Sequence, residues 1–434
     1  MSESAKESIR ESTQAVVNAF LEHEFIQQVE FLAELVRVPS DNPPGDCAAP
    51  AERAHALLES LLDLEVQTDV VPDPIVKANG MISATNLIVR RRFGHGGGPT
   101  IALNAHGDVV PPGRGWSRAP YGAEIIDDPD HGPVMFGRGV AVSKSDIATY
   151  TWALLALIEL EKHGVPLHGA VELHFTYDEE TGGDIGPRRL IEQRLSRPDF
   201  VICAGFSYAI TSSHNGCLHL EVVVNGKSGH AAIPSTGVDA LEAASHILHA
   251  LYAHRSELAL VHSQVPGIST PTLNIGLIQG GINTNVVPDR VLLRLDRRII
   301  PEESAAEAEA SLRALIERAV AHRPGVTIEI KRVLLAEPLQ ELPGAAPMIA
   351  ALRRHAEQEF GVPIAVHGVP LYTDARHYST AGIPTVLYGA GPRTLQEANG
   401  HSADECLRLS DLRKATAVVT LAVADLLSLS RNDE

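Results

Sequence analysis

Apolar positions along the first half of the chain recur in two rhythms, one near 3.6 residues and one of two, and the switches between them predict alternating helices and strands. An amphipathic helix is expected over about 15–37, closed by Pro39 and the Pro43-Pro44-Gly45 turn. A second helix is expected over 51–62, then strands over 65–71, 86–91 and 100–105, a helix over 146–163 and a strand over 170–176. Such alternation predicts an α/β fold with a mixed, largely parallel sheet covered on both faces, whose ligands collect in loops at strand carboxyl ends.

From about His214 the rhythm changes. Strand 219–224, helix 238–254, strands 272–279 and 290–298, helix 302–322 and strand 326–332 follow in the order βαββαβ, which describes a compact ferredoxin-like insertion. The first pattern then resumes with helix 346–358, strands 364–366 and 385–388, and a last helix over 409–427. The expected organisation is therefore a catalytic domain in two parts, 1–213 and 334–434, around an inserted domain over 214–333.

Three segments at strand ends carry chemistry. The first is Phe175-Thr176-Tyr177-Asp178-Glu179-Glu180-Thr181-Gly182-Gly183, where an apolar strand opens into a glycine loop. Two adjacent carboxylates resist joint ionisation unless a cation or proton divides the labour between them, which suits metal-assisted hydrolysis. The second is Leu103-Asn104-Ala105-His106-Gly107-Asp108, in which positions two apart share a side, so Asp108 can hydrogen-bond His106 or lie just behind it. The third, Ala398-Asn399-Gly400-His401-Ser402-Ala403-Asp404-Glu405, places a histidine in a glycine-flanked loop.

Together these segments resemble the M20 family of metallopeptidases and amidohydrolases, which includes aminoacylases, acetylornithine and succinyl-diaminopimelate deacylases, and glutamate carboxypeptidases. The resemblance runs along nearly the whole chain and its motifs stand in the family's order. It implies that His106, Glu180 and His401 are metal ligands, that Glu179 is the general base, and that Asp108 orients the site. In the insertion, Gly226-Lys227-Ser228-Gly229-His230-Ala231-Ala232 and Gly280-Gly281-Ile282-Asn283-Thr284-Asn285-Val286-Val287-Pro288-Asp289 match family motifs. They imply that His230 polarises the scissile group from across a dimer interface and that Asn285 contacts the substrate carboxylate. By the same resemblance Thr373-Asp374-Ala375-Arg376 and Gly389-Ala390-Gly391-Pro392 are substrate-binding loops, with Arg376, Gly389 and Gly391 as contacts, and the insertion acts as lid and dimerisation domain. Arg376 offers the planar fork that suits a carboxylate. Lys144 is also retained from the family pattern.

Two family ligands are missing. Where the family places a metal-bridging aspartate, this chain reads Gly137-Arg138-Gly139-Val140-Ala141-Val142-Ser143-Lys144-Ser145-Asp146, with Val142 at the bridge. Gly205 stands where a further carboxylate is expected after the strand ending at Cys203. A valine has no lone pair to offer, so the expected centre is mononuclear and labile: one divalent Zn, Mn or Co per site on three protein ligands. Asp146, His214 and His219 are the groups that could replace what is lost.

Composition narrows the function. With 434 residues and 44% hydrophobic content the chain can bury sizeable cores, and its net charge of -18 disfavours nucleic acid and anionic membrane as partners. The four cysteines show no framework spacing and the first residues lack a secretory core, which points to reduced thiols and a cytoplasmic location. The expected activity is metal-dependent hydrolysis of a carbon-nitrogen bond in a small carboxylate-bearing substrate by a homodimer or higher homo-oligomer. The depleted shell suggests either that the substrate supplies ligands or that its carbon is already activated, as in an aromatic aminohydrolase of the 5-nitroanthranilate type. Deacylation of N-acyl amino acids or dipeptide cleavage is the alternative, and a non-catalytic binding protein of the same fold is the alternative of another class. Retention of Glu179, Glu180, His106, Asp108 and His401 together argues against the last.

Overall fold

A computed structural model describes residues 3–61, 63–94 and 97–428. The chain divides into two units, one made of the described residues up to Ser212 with Glu341–Val366 and the segment from Thr373 onward, the other of Ser213–Gln340 and His367–Tyr372.

The first unit holds most of the sheet ordered Val66–Val70, Thr85–Phe93, Gly169–Thr176, Thr100–His106, Phe200–Cys203, Thr385–Leu387, Ala209–His214 and Ala365–Val369. Its centre is parallel: Thr100–His106 runs alongside both Gly169–Thr176 and Phe200–Cys203, and Thr385–Leu387 alongside Phe200–Cys203. Its flanks are antiparallel, with Thr85–Phe93 pairing against Val66–Val70 and Gly169–Thr176. The sheet is thus mixed around a parallel centre, as the sequence pattern implies. Between Val66–Val70 and Thr85–Phe93 stands only the six-residue helix Asp73–Ala78, too short for the crossover that a parallel pair requires.

Helices Glu3–Arg37, Lys144–Lys162 and Leu409–Leu427 contribute to one apolar core with the central strands. Lys144–Lys162 is buried on nearly every turn, and within it Trp152 meets Phe31 edge to face, with ring centroids 5.2 Å apart. A helix this apolar all round belongs in an interior. Lys144, at its start, is buried too, and its Nζ donates to Leu35 O and Val38 O at 2.9 and 3.0 Å. Burial lowers its ammonium to a pKa of about 8, so it is an internal clamp and not a surface lysine. The sequence pattern did not reveal the small sheet of Glu124–Asp128, Gly132–Phe136 and Cys406–Arg408.

The second unit carries strands Gly216–Asn225, Thr272–Gly280, Arg290–Ile299 and Thr327–Ala336 with helices Ala240–Leu258 and Ala305–Val320. The strands pair antiparallel in the order second, third, first, fourth, the ferredoxin-like arrangement, over a separate core that includes Leu218, Leu220, Val222, Val224, Ile247 and Leu293. Asp239 caps the first helix by accepting from Leu241 N and Glu242 N, and Ser304 caps the second through Glu307 N. No helix among the described residues is long and apolar enough to cross a membrane.

Candidate functional site

His106 is the last residue of strand Thr100–His106, in register with Thr176 at the end of the neighbouring parallel strand. Parallel pairing therefore brings His106 and the turn that follows Thr176 to the same end of the sheet. The backbone there is pinned by Ser143, whose Oγ donates to His106 O at 3.0 Å. The imidazole is buried, and its Nδ1 lies 3.0 Å from the Asp108 carbonyl. A proton on Nδ1 donated to that carbonyl leaves the Nε2 lone pair available for a metal.

Glu179 and Glu180 sit in the single 3-10 turn Glu179–Thr181. Asp108, wholly buried, holds this turn: its Oδ1 accepts from Glu179 N at 3.2 Å, and its Oδ2 accepts from Glu180 N at 3.1 Å and from Asn42 Nδ2 at 2.9 Å. Its carboxylate also stands 3.4 Å from His106 Nδ1. Asp108 thus does more than sit behind a ligand, for it fixes the main chain under both carboxylates. On the other side Arg376 and His377 donate to Gly182 O, and Arg376 donates to Thr373 O at 3.2 Å. Asp178 ties down the exit of the turn through Ile185 N and Gly186 N at 2.7 and 3.0 Å.

Donor atoms of His106, Glu179 and Glu180 lie within 4.8 Å of one another, with His106 Nε2 4.0 Å from Glu179 Oε2. Glu180 Oε1 is buried without a hydrogen-bond partner and stands 3.4 Å from His401 Nε2. An orphaned carboxylate oxygen between two imidazoles fits a divalent cation, which would supply the missing partner. His401 reaches this group through Glu180 and lies outside the tight trio. Its loop takes left-handed backbone at Asn399, His401 and Asp404, and Glu180 raises its imidazole above its ordinary range. Burial raises the Glu179 carboxyl, with His106 opposing and Glu180 and Asp108 reinforcing the shift. Burial likewise outweighs nearby cations at Asp374 and pushes up Asp178. So many carboxyl groups cannot all be ionised together, and protons and cations must share them.

The substitutions at Val142 and Gly205 have firm surroundings. Val142 N and Ala141 N donate to Glu405 Oε1 at 3.2 and 3.0 Å, and Glu405 Oε2 accepts from Arg138 Nη1 at 2.6 Å in a pair that solvent does not reach. A Cβ at Gly205 would come within 2.7 Å of Tyr388 N and 2.8 Å of Leu387, so a glutamate does not fit there without moving a strand. Asp146 does not stand in: it is buried and its Oδ1 accepts from Ala390 N at 2.6 Å. That carboxylate would lie 2.0 Å from a Cβ on Gly389, while a Cβ on Gly391 would meet Gly205 O at 2.5 Å. Both glycines therefore have a packing reason for lacking a side chain. His214 is buried with Nδ1 against Asn215 O at 2.9 Å, and His219 pairs with Asp296, so neither belongs to the trio.

In the second unit the two motifs of the insertion lie side by side. Ala231 N donates to Asn285 O and Val287 N to Gly229 O, at 3.0 and 2.9 Å, and His230 bridges Val286. His230 Nδ1 accepts from Ala232 N at 3.0 Å, which leaves its Nε2 to carry the proton as a donor. The sequence reading missed Asn42, Arg138 and Glu405. Glu405 follows the His401 loop directly, and a buried acid there signalled only that some cation must meet it.

The chain is 27% identical over 342 residues to the succinyl-diaminopimelate desuccinylase of Granulibacter bethesdensis, covering 76% of this chain and 83% of that protein. Its fold matches the M20 family metallo-carboxypeptidase Sso-CP2 from Sulfolobus solfataricus with a TM-score of 0.72 at 18% identity, covering 94% of this chain and 99% of that one. It also matches the Bacillus subtilis YXEP protein, a dinuclear metal-binding peptidase, with a TM-score of 0.63 at 18% identity over 95% of this chain and 100% of the other. Residues 102–425, which hold every group of the trio together with His401, match the profile of Peptidase family M20/M25/M40, and the chain belongs to that family as a hydrolase of carbon-nitrogen bonds.

Proposed function

We propose that this protein is an N-acyl amino acid deacylase that works with one weakly held divalent transition ion, Zn2+, Mn2+ or Co2+, at His106, Glu180 and His401, and assembles as a homo-oligomer. The observation that carries the reading is the trio itself, with Glu179 4.0 Å from His106 on a turn fastened by Asp108. The ion, when bound, polarises the amide carbonyl and makes a water acidic. Glu179 accepts the proton of that water on its carboxylate and delivers it to the leaving nitrogen. His230, with its proton on Nε2, donates from across a dimer interface to the oxygen where charge develops, as the family resemblance implies, and Asn285 and Arg376 are the expected contacts of the substrate carboxylate.

The comparison with a desuccinylase favours an acyl amide over an aromatic amine. Nothing at Val142 or Gly205 replaces the lost ligands, which is why the reading keeps a single ion where YXEP is dinuclear. The test is a turnover screen of N-succinyl and N-acetyl amino acids, dipeptides and aminobenzoates with the protein reconstituted in each metal. Release of amine from an N-acyl amino acid supports the proposal, and ammonia released only from aminobenzoates overturns it. Light scattering behind size-exclusion chromatography reads the assembly.

A further inference from the structure

Strand Gly216–Asn225 alternates strictly, sending Leu218, Leu220, Val222 and Val224 into the core under the helices, so Cys217 and His219 face the other side of the sheet. On the antiparallel neighbour Arg290–Ile299, Asp296 stands opposite His219 and Arg298 opposite Cys217. The result is a convergent group: Cys217 Sγ lies 3.3 Å from His219 Nε2, which lies 2.9 Å from Asp296 Oδ2, and Sγ is 4.0 Å from that same oxygen. These three atoms also satisfy the mutual 4.8 Å spacing found at His106, Glu179 and Glu180.

Hydrogen bonds join these groups, but their convergence also suits an ion. The Nε2 proton and the thiol proton can both be directed at Asp296 Oδ2, yet the thiol contact is long, and three potential ligand atoms converge on one point. A tetrahedral zinc ion with sulfur at about 2.3 Å and nitrogen or oxygen at about 2.0–2.2 Å sets its ligands about 3.3–3.6 Å apart; the 3.3 Å edge from Cys217 to His219 lies in that range, and the 2.9 and 4.0 Å edges each reach it by a shift of about 0.4 Å. Asp296 is oriented from behind by Arg298, whose Nε meets Oδ1 at 3.0 Å and whose Nη2 meets Oδ2 at 3.2 Å, the kind of outer support that ligating carboxylates receive. Cys217 is buried while His219 and Asp296 are partly exposed, which gives an ion a side from which to enter.

We infer that Cys217, His219 and Asp296 form a second metal site, on the second unit's sheet, for a zinc-like divalent ion with a fourth position left to water or another donor. Binding replaces the thiol S–H bond with a sulfur-metal bond and the His219 Nε2–H bond with a nitrogen-metal bond, and releases both protons to solvent. The site stands apart from the deacylase reading, because its ligands include a thiolate and the trio around Glu179 has none.

That difference supplies the test. The full-length protein, stripped of metal, is titrated with Co2+ and followed in the near ultraviolet, where only sulfur ligation gives an intense charge-transfer band. The expected result is one band that saturates at about one ion per chain, is lost in Cys217→Ser, and requires higher Co2+ in His219→Gln. Arg298→Gln, which removes only the carboxylate's support, should weaken binding about 10- to 100-fold. Amide hydrolysis by Cys217→Ser should persist. Absence of the band in the wild type, or its survival in Cys217→Ser, overturns the site. Circular dichroism checks folding, and if Cys217→Ser fails to fold, an unchanged titration of His219→Gln overturns it equally.

Discussion

In the proposed mechanism Glu179 moves protons, and Asp108 holds the main chain beneath it. The two roles separate by substitution. Glu179→Gln should lower kcat by about 100- to 10,000-fold with an unchanged melting temperature, because the side chain acts in the chemical step. Asp108→Asn should lower both kcat and the melting temperature, since its amide nitrogen would face the N–H of either Glu179 or Glu180 while its oxygen keeps only the other, and an unsatisfied buried donor costs about 1–3 kcal/mol. Equal melting temperatures for the two variants would refute this division. Arg376→Lys tests the substrate fork: a KM that rises more than kcat falls supports a carboxylate contact, whereas a lower melting temperature with unchanged KM assigns Arg376 to Gly182 and Thr373 alone. The paired carboxylates, His106 and His401 were legible because each stands in a short, unusual run beside a predicted strand end or glycine. The bonds from Asp108 to the turn were not, because they join main-chain groups about seventy residues away and depend on parallel strand register.

Elements were readable where periodicity was strong. Helices such as Leu409–Leu427 and the βαββαβ order of the insertion stand where the pattern put them, since one apolar stripe must meet one core. The strands Glu124–Asp128 and Gly132–Phe136 escaped because they are five residues each, with charged or mixed faces. Their partner Cys406–Arg408 follows Glu405, which locks the segment from Arg138 to Val142 against the His401 loop. Glu405→Ala should therefore cost about 3–5 kcal/mol in urea unfolding, since it leaves the Arg138 charge buried alone, and Arg138→Met combined with it should recover part of that loss. Additive losses in the double variant would show that the two residues act independently.

For the whole molecule, acid stability should depend on the buried Glu172. Burial raises its pKa, but bonds from His174, Arg90 and Ser196 more than reverse that and bring it to about 2. Its stabilisation is present above the unfolded value of 4.5 and is lost as pH falls through about 2. Between those limits the wild type should lose about 3 kcal/mol that Glu172→Gln does not lose, read by denaturant unfolding at each pH. Parallel losses would place the acid sensitivity elsewhere. Metal analysis should find about one ion per chain at the site around Glu180, readily removed by mild chelation; two tightly held ions there would refute the mononuclear reading. The packing at Gly205 makes that stoichiometry hard to undo. With Tyr388 N and Leu387 closed over the Cα, Gly205→Glu would wreck a strand before it gained a ligand. Val142→Asp on its own would add a bridge with nothing on its far side. On the proposed single-ion reading, neither single substitution completes a two-ion centre, and what bars the way is the side chain that a glycine lacks.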